Sequence, residues 1–282
     1  MRICRYNDDK LGLVKGDQLI DVTIALENVS KSGPELQGDA MIANIDAIRV
    51  TIEEYRKIGY VQGVDNVVLK SPVANSSKII SATAKYRDYV AESQDDAQSK
   101  CGHEINTINE NGLFLRENPT LVGPGEGIAL GHADPRNDYE IELAVIIGTT
   151  ANNVDYDDAL DLVAGYSIGF SNTARGIAHH RVGKYLDSRV LLGPWITTAD
   201  EINNPNDLGL RITVNGEVRQ DSNTKYLMYD CRTLIEHASK LYTLYPGDIL
   251  LTGTNKGVGP IEPGDRLVCQ LDTIGKMELE IR

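Results

Sequence analysis

Alternating apolar and polar residues predict that most of this chain forms short β-strands. The clearest alternation is D-Y-E-I-E-L-A-V-I-I, which covers residues 138–147. Successive side chains of a strand point to opposite faces, so Glu140 and Glu142 share one face and the apolar residues between them share the other. The sequence therefore predicts two neighbouring carboxylates on one side of a largely apolar strand.

The same kind of pattern predicts further strands after residue 78. Their sequences are I-I-S-A-T, G-L-F-L-R, V-A-G-Y-S-I-G-F, S-R-V-L-L-G-P-W-I-T, L-R-I-T-V-N-G-E-V-R, D-I-L-L-T-G-T and R-L-V-C-Q-L. Helical spacing of apolar residues is rarer, and it predicts helices over 41–60, 157–163 and 230–242. Many strands with few crossover helices favour an α+β fold built on a curled or barrel-like sheet.

The N-terminal quarter of the chain differs from the rest. Two short alternating segments, R-I-C-R-Y and L-G-L-V-K, precede the helix predicted over 41–60. They are typical of the hairpins of a small accessory domain. A stretch rich in turn formers ends near Asn75 and marks the boundary. We therefore divide the chain into an accessory domain over 1–75 and a larger domain over 76–282.

Composition and charge exclude several classes of protein. The chain of 282 residues has a formal net charge of −13, which argues against nucleic-acid and anionic-membrane partners and still permits a small anionic substrate. No apolar run approaches the roughly 18 residues that a membrane helix needs, and the first residues lack the apolar core of a secretory signal. The four cysteines form no C-x-x-C pair. The expected protein is cytoplasmic, without a zinc ribbon or a disulfide framework.

The paired carboxylates admit two interpretations. If the strand is buried, Glu140 and Glu142 need a positive partner, and hard cations such as Mg²⁺, Mn²⁺ or Ca²⁺ collect carboxylate oxygens. If the strand is half exposed, the same alternation is only its solvated face. The pattern alone leaves both interpretations open.

Six sequence blocks, in this order along the chain, resemble the fumarylacetoacetate hydrolase superfamily. They are K-Y-R-D-Y-V-A-E, D-Y-E-I-E-L-A-V-I-I-G, A-G-Y-S-I-G-F-S-N-T-A-R, G-K-Y-L-D-S-R-V-L-L-G-P-W, V-N-G-E-V-R-Q-D-S-N-T and Y-P-G-D-I-L-L-T-G-T. The resemblance implies a β-roll catalytic domain, a smaller N-terminal domain, a homodimer, and a Mg²⁺ or Mn²⁺ ion held by carboxylates. Members hydrolyse C–C bonds of β-diketo acids such as acylpyruvates, and others decarboxylate, tautomerise or dehydrate related 2-keto acids.

The resemblance assigns metal ligands residue by residue. Glu140 and Glu142 match the family's E-x-E ligands, and Asp88 matches a further metal-binding aspartate of some members. Ser171 stands where the family has a third metal-binding Asp, and Gly176 replaces another Asp of that block. A neutral hydroxyl is a weaker ligand for a hard cation than a carboxylate, so this departure puts the third ligand in doubt.

Catalytic residues follow from the same resemblance. Lys184 and Asp187 match the G-K-x-x-D block, whose lysine faces the substrate's developing enolate. Hydrolytic members pair a His with a Glu to activate water, and here Tyr89 stands at that His while Glu92 remains. A tyrosine with a pKa near 10 is a poor general base at neutral pH.

A histidine in a polar stretch offers a substitute base. His103 lies within residues 93–111, which correspond to the family's mobile lid, and closure of a lid can deliver such a group. The alternative is a solvated loop histidine without a role.

The resemblance also implies residues that bind the substrate. Arg116 stands where many members have Lys, which keeps a cation there. The other matched positions that line the pocket or hold the substrate carboxylate are Tyr89, Arg175, Gln220, Gly253 and Thr254.

These features predict a metal-dependent hydrolase that cleaves a C–C bond of a β-diketo acid through a metal-stabilised enolate. The first alternative is a lyase or isomerase acting on a 2-keto acid, a dehydratase, decarboxylase or tautomerase, because enolate stabilisation is common to all these reactions. The second is a catalytically impaired relative with a binding role, motivated by Ser171 and Tyr89.

Overall fold

Strands form most of the regular structure of this chain. The protein is described by a computed structural model over residues 1–29, 37–82, 86, 88, 92, 112–116, 121–130, 136–175 and 190–282. The α-helices in these ranges are α1 (Ala40–Ala43), α2 (Ile45–Tyr55) and α3 (Cys231–Leu241). The strands are β1 (Arg2–Tyr6), β2 (Lys10–Lys15), β3 (Gln18–Asp21), β4 (Val61–Gly63), β5 (Leu69–Lys70), β6 (Ile79–Ala82), β7 (Leu113–Arg116), β8 (Leu121–Val122), β9 (Arg136–Ile147), β10 (Val163–Arg175), β11 (Val190–Thr198), β12 (Gly209–Val214), β13 (Glu217–Asn223), β14 (Ile249–Leu251), β15 (Gly259–Pro260), β16 (Arg266–Leu271) and β17 (Gly275–Glu280).

These strands form two sheets. The larger has 13 strands in the described ranges, in the order β4-β3-β2-β1-β11-β10-β9-β14-β6-β7, with β5 beside β1, β8 beside β11 and β15 beside β9. The smaller sheet has the order β13-β12-β16-β17. Most neighbours are antiparallel, and β14 pairs with β6 in parallel. This strand-rich arrangement with few helices confirms the predicted α+β class.

Strand β9 lies between two apolar clusters. Every residue from 137 to 147 is buried. Ile141 belongs to a cluster that also contains side chains of β12, β16 and α3. Ala144 belongs to a second cluster with side chains of β1, β2 and α2. Because side chains alternate along a strand, Glu140 and Glu142 lie on the Ala144 face.

The first strands extend the larger sheet. Strand β1 pairs with β11 through Arg2 with Thr197 and Ile3 with Ile196. Strands β2, β3 and β4 follow outward from β1. The hairpins predicted at the N-terminus are therefore present, and the division of the chain at residue 75 stays a prediction.

Two of the predicted helices have the wrong bounds or type. The helix predicted over 41–60 is interrupted at Asn44 and ends at Tyr55. Asn44 has non-helical φ and ψ of −113° and 20°, and its side-chain amide donates to the Ala40 carbonyl at 2.8 Å. A short polar side chain competes with the helical backbone in this way, which apolar spacing does not reveal. The segment predicted as a helix over 157–163 is a 3₁₀ helix over Tyr156–Leu162.

Helix α3 begins one residue after the predicted start, because Asp230 caps it. Asp230 Oδ1 accepts hydrogen bonds from the Thr233 backbone N–H at 2.8 Å and hydroxyl at 2.7 Å, and Oδ2 accepts one from the Tyr156 hydroxyl at 2.6 Å. Burial raises the pKa of Asp230, but these hydrogen bonds outweigh that effect and hold the pKa below its ordinary value of 3.8.

No helix in the described part of the chain combines the length and the hydropathy needed to cross a bilayer.

Replacing Asp230 with Ala should lower the free energy of unfolding by about 1–2 kcal/mol at neutral pH, because the N-cap is lost. Asp230→Asn is the matched control, since Asn caps nearly as well. The native pKa of Asp230 is lowered, so the advantage of the wild type over Asp230→Asn is present above the unfolded pKa of about 4 and disappears as the pH falls through the native value. Urea unfolding at pH 7 and at descending pH measures both effects. Equal stability of the wild type and Asp230→Ala at pH 7 would contradict the cap.

Candidate active site

Three carboxylates lie in a row on one face of β9. The antiparallel register places Asp138 opposite Thr173 and Glu140 opposite Ser171, and directly opposed residues share a face. Asp138, Glu140 and Glu142 have no exposed surface. We call these three residues the acid patch. Their burial excludes the interpretation of a solvated strand face.

Hydroxyl and amide groups surround the two glutamates. Thr173 Oγ1 donates to Glu140 Oε1 at 3.1 Å, and Ser171 Oγ donates to Glu142 Oε1 at 2.6 Å. The Gly253 backbone N–H donates to Glu142 Oε2 at 2.6 Å. Gly253 has a φ of +95°, a left-handed conformation that glycine adopts without steric cost. The donors to Glu142 orient its carboxylate without cancelling its charge.

A buried arginine approaches the patch through Ser171. Arg116, only 3% exposed, donates from Nε to Ser81 Oγ at 2.8 Å and from Nη2 to Ser171 Oγ at 3.0 Å. A hydroxyl can accept one hydrogen bond while it donates another. Ser171 therefore joins the Arg116 guanidinium to the Glu142 carboxylate. We call this chain of contacts the Arg116 relay.

A second cation lies at the Asp138 end of the acid patch, the end farthest from Glu142. Arg136 Nε lies 2.7 Å from Asp138 Oδ1 in an ion pair whose Asp138 side chain is fully buried. Ionised pairs of this length are stronger than neutral hydrogen bonds. Asp138 is thus held by a charged partner on its own strand.

The donor set at Glu140 and Glu142 fits a hard divalent cation. The Glu142 oxygens accept from a neutral hydroxyl and a neutral amide, and a carboxylate has about four acceptor positions, so lone pairs remain for a metal. Oxygen ligands of this kind are what Mg²⁺ and Mn²⁺ prefer. Within the described ranges, no group of three or more Asp, Glu, His or Cys side chains is arranged to hold a metal ion. The structure therefore brings two of the predicted ligands together without gathering Asp88 into the same group.

Asp88 and Ser171 occupy different positions relative to that pair. Asp88 is half-buried, and it contributes to the electrostatic environment of Tyr86. Burial foremost, followed by the neighbouring Cys231, Glu142 and Asp88, raises the pKa of Tyr86. Ser171 contacts Glu142 directly. The ligand roles of both residues stay predictions.

The predicted substrate-binding residues Gln220 and Thr254 lie together at the edge of β9 that faces away from β10. Gln220 Nε2 donates to Thr254 Oγ1 at 2.9 Å, and both side chains are buried. Glu92 is exposed, and its Oε2 accepts from the Gly257 backbone N–H at 2.8 Å. Glu92 and Gln220 therefore both contact the segment of residues 252–257, which we call the 252–257 loop.

Several predicted site residues cannot be placed in this geometry. The backbone of Arg175 pairs with Arg136 at the end of β10, but its side chain is outside the described part of the structure. The other predicted residues that lie outside the described residues are Tyr89, His103, Lys184 and Asp187.

Sequence reasoning missed three residues that contact or extend the site. Asp138 and Thr173 follow the same two-residue spacing as Glu142 and Ser171, so alternation along each strand could have found them. Ser81 is a buried polar residue in the otherwise apolar strand β6. Its contact with Arg116 depends on which strands are neighbours, and a single strand's pattern does not contain that information.

Comparison with known proteins gives one match to a family model and several to individual proteins, two of them over the whole chain. A family model described as fumarylacetoacetate (FAA) hydrolase C-terminal matches residues 78–282. The maleylpyruvate hydrolase of Aquipseudomonas alcaligenes is 44% identical over 285 residues, which cover 100% of this chain and 99% of the relative. The crystal structure of maleylpyruvate hydrolase from Sphingobium sp. SYK-6 in complex with manganese(II) and pyruvate has a TM-score of 0.84 and 32% identity, covering 100% of this chain and 98% of that one. A mitochondrial oxaloacetate tautomerase of Xenopus laevis is 33% identical over 223 residues, 74% of this chain and 67% of the relative.

Replacing Ser171 with Ala should cost about 1.5–3 kcal/mol of unfolding free energy, because it removes hydrogen bonds to two charged groups. Ser167→Ala is the matched control. Ser167 lies on the same strand, is equally buried, and donates to the neutral carbonyl oxygens of Gly193 at 3.1 Å and Trp195 at 2.8 Å. Its loss should cost about 1 kcal/mol. Urea unfolding in metal-free buffer compares the two variants, and a smaller cost at Ser171 than at Ser167 would contradict the Arg116 relay.

Proposed function

The chain belongs to the fumarylacetoacetate hydrolase family, and we propose that it is a divalent-metal-dependent hydrolase that cleaves the C–C bond of maleylpyruvate or a closely related acylpyruvate. The observation on which this rests is the likeness to maleylpyruvate hydrolase over the full length of both chains. The fully buried Glu140 and Glu142 support it, because such a pair needs a cation.

The overall reaction adds water across one C–C bond. The water oxygen bonds to the acyl carbonyl carbon, the bond from that carbon to C3 of the pyruvyl unit breaks, and C3 takes up a proton. The products are pyruvate and a second carboxylic acid, which is maleate when the substrate is maleylpyruvate. The electron pair of the broken bond passes through an enolate of pyruvate, so stabilising that enolate lowers the barrier.

Glu140 and Glu142 are the residues that would hold the metal. A divalent ion there supplies a Lewis acid for the enolate oxygen. Manganese in the Sphingobium relative supports Mn²⁺, and the oxygen donor set suits Mg²⁺ equally. Ser171 and Gly253 keep the Glu142 carboxylate in one orientation, and the Arg116 relay places a positive charge behind it.

Glu92 is the described residue that best fits the role of general base. Its carboxylate reaches solvent and is tied to the 252–257 loop through the Gly257 N–H. A base in that position can take the proton of the attacking water while the loop fixes its direction. The roles of Lys184, Asp187 and His103, like the homodimer and the cytoplasmic location, stay predictions from the sequence.

Purified protein loaded with Mn²⁺ should convert maleylpyruvate to pyruvate and maleate. Pyruvate release, followed with a coupled lactate dehydrogenase assay, and product identification by NMR measure this reaction. Oxaloacetate is the comparison substrate, because one relative is an oxaloacetate tautomerase and tautomerisation also passes through an enolate. If the protein accelerates the interconversion of oxaloacetate tautomers and leaves maleylpyruvate unchanged, the result would favour a tautomerase over the proposed hydrolase. If removal of divalent metal ions by a chelator leaves the activity unchanged, the proposed dependence on a metal is wrong.

Glu142→Gln should abolish most of this activity and weaken Mn²⁺ binding. Loss of an outer partner of a metal site typically costs about 10- to 100-fold, and loss of a charged ligand should cost at least that much. Glu236→Gln is the matched control, since Glu236 lies on α3 and pairs with Lys240 on the surface. Calorimetric Mn²⁺ titration and kcat/KM give two independent measurements. Unchanged Mn²⁺ affinity in Glu142→Gln would remove Glu142 from the ligand set.

A further inference from the structure

The outer edge of β9 has a gap beside the two glutamates. Strand β14 pairs with residues 144–146 of β9, and β15 pairs with residues 138 and 139. No strand in the described ranges pairs with residues 140–143 on this edge. The backbone there is satisfied by other groups, because Ile141 N–H donates to Gln220 Oε1 at 3.2 Å and the Leu143 carbonyl accepts from Thr252 N–H at 3.1 Å.

A β-bulge brings Gln220 into this gap. In the β12–β13 ladder, Ile212 pairs with Gln220 while Thr213 pairs with Val218, which leaves Arg219 as an extra residue on β13. In a regular strand, Val218 and Gln220 would share a face. Instead Val218 is 56% exposed and Gln220 is 1% exposed. The bulge therefore turns the Gln220 side chain away from solvent and toward β9.

The Gln220 amide is engaged by protein groups. Oε1 accepts from Ile141, and Nε2 donates to Thr254 Oγ1 at 2.9 Å and to the Asn255 carbonyl at 2.8 Å. A primary amide has two N–H donors. Its donors thus bind the 252–257 loop while its oxygen binds β9.

The loop held in this way contacts a metal-site carboxylate. Gly253 N–H lies 2.6 Å from Glu142 Oε2, one residue before Thr254. The loop also packs closely on the bulge, because a Cβ at Gly257 would lie 2.1 Å from the Arg219 carbonyl oxygen. Displacing the loop would therefore remove one of the two donors that orient Glu142.

We propose that Gln220 is a positioning residue of the metal site. It fixes the 252–257 loop against β9 between Glu140 and Glu142, so that the Gly253 N–H stays on Glu142. This assignment rests on the proposed function, and it differs from the role in substrate binding that the sequence resemblance implies for Gln220.

Gln220→Met tests the proposal, because Met has similar volume and can neither donate nor accept these hydrogen bonds. We expect Mn²⁺ affinity, measured by calorimetric titration, to fall about 10- to 100-fold, as for other outer partners of metal sites. Amide hydrogen exchange should accelerate at Ile141 and across the 252–257 loop. Gln270→Met is the matched control, the same substitution at an exposed position of β16 in the same sheet. It should change neither quantity.

Thr254→Val provides a second variant that does not disturb the bulge. It removes one acceptor of the Gln220 amide and should shift Mn²⁺ affinity and loop exchange in the same direction by a smaller amount. A raised KM with unchanged Mn²⁺ affinity in Gln220→Met would overturn the proposal in favour of substrate binding. Lower stability with unchanged Mn²⁺ affinity would overturn it in favour of a purely structural role. Failure of the wild type to bind Mn²⁺ would instead overturn the proposed function, and this assignment with it.

Discussion

Two carboxylates inside a sheet are the constraint on which the rest of this structure depends. Moving an ionised carboxylate out of water costs several kcal/mol unless nearby groups compensate. Glu140 and Glu142 are fully buried, and Glu142 receives its compensation from a hydroxyl and a backbone amide at 2.6 Å each. Such donors lower the cost of burial and leave the negative charge in place. The surroundings of Glu142 are therefore suited to attracting a cation as well as to tolerating an anion.

The Arg116 relay shows how one change of residue type alters the charge of the site while keeping it connected. An Asp at position 171 would add another negative charge next to Glu142, and like charges at that distance repel. Ser171 carries no charge, and its hydroxyl both accepts from Arg116 and donates to Glu142. The acid patch is thereby less negative than the family pattern implies, and the Ser171 hydroxyl holds Glu142 by a hydrogen bond.

The sequence predicted the acid pair because alternation along one strand is a local property. Glu140 and Glu142 were found in this way, and the same spacing extends to Asp138 and Thr173. The helix break at Asn44 was not found, because it depends on a side-chain hydrogen bond and not on apolar spacing. The contact of Ser81 with Arg116 depends on strand order, which period-two patterns do not specify. Six blocks of resemblance identified the family where local patterns gave only a fold class.

Gln220 illustrates a deeper limit of pattern analysis. Alternation places Gln220 on the same face as Val218, and one extra residue at Arg219 reverses that placement. A bulge has no reliable signature in a single sequence, yet here it decides whether an amide faces solvent or reaches β9. Because the bulge lies in the four-stranded sheet and the acid patch lies in the larger one, the packing of the two sheets brings the Gln220 amide oxygen to the Ile141 N–H, between the two glutamates. The environment of β9 beside Glu140 and Glu142 is therefore set in part by Gln220, a residue of the second sheet that lies 79 positions away in the sequence.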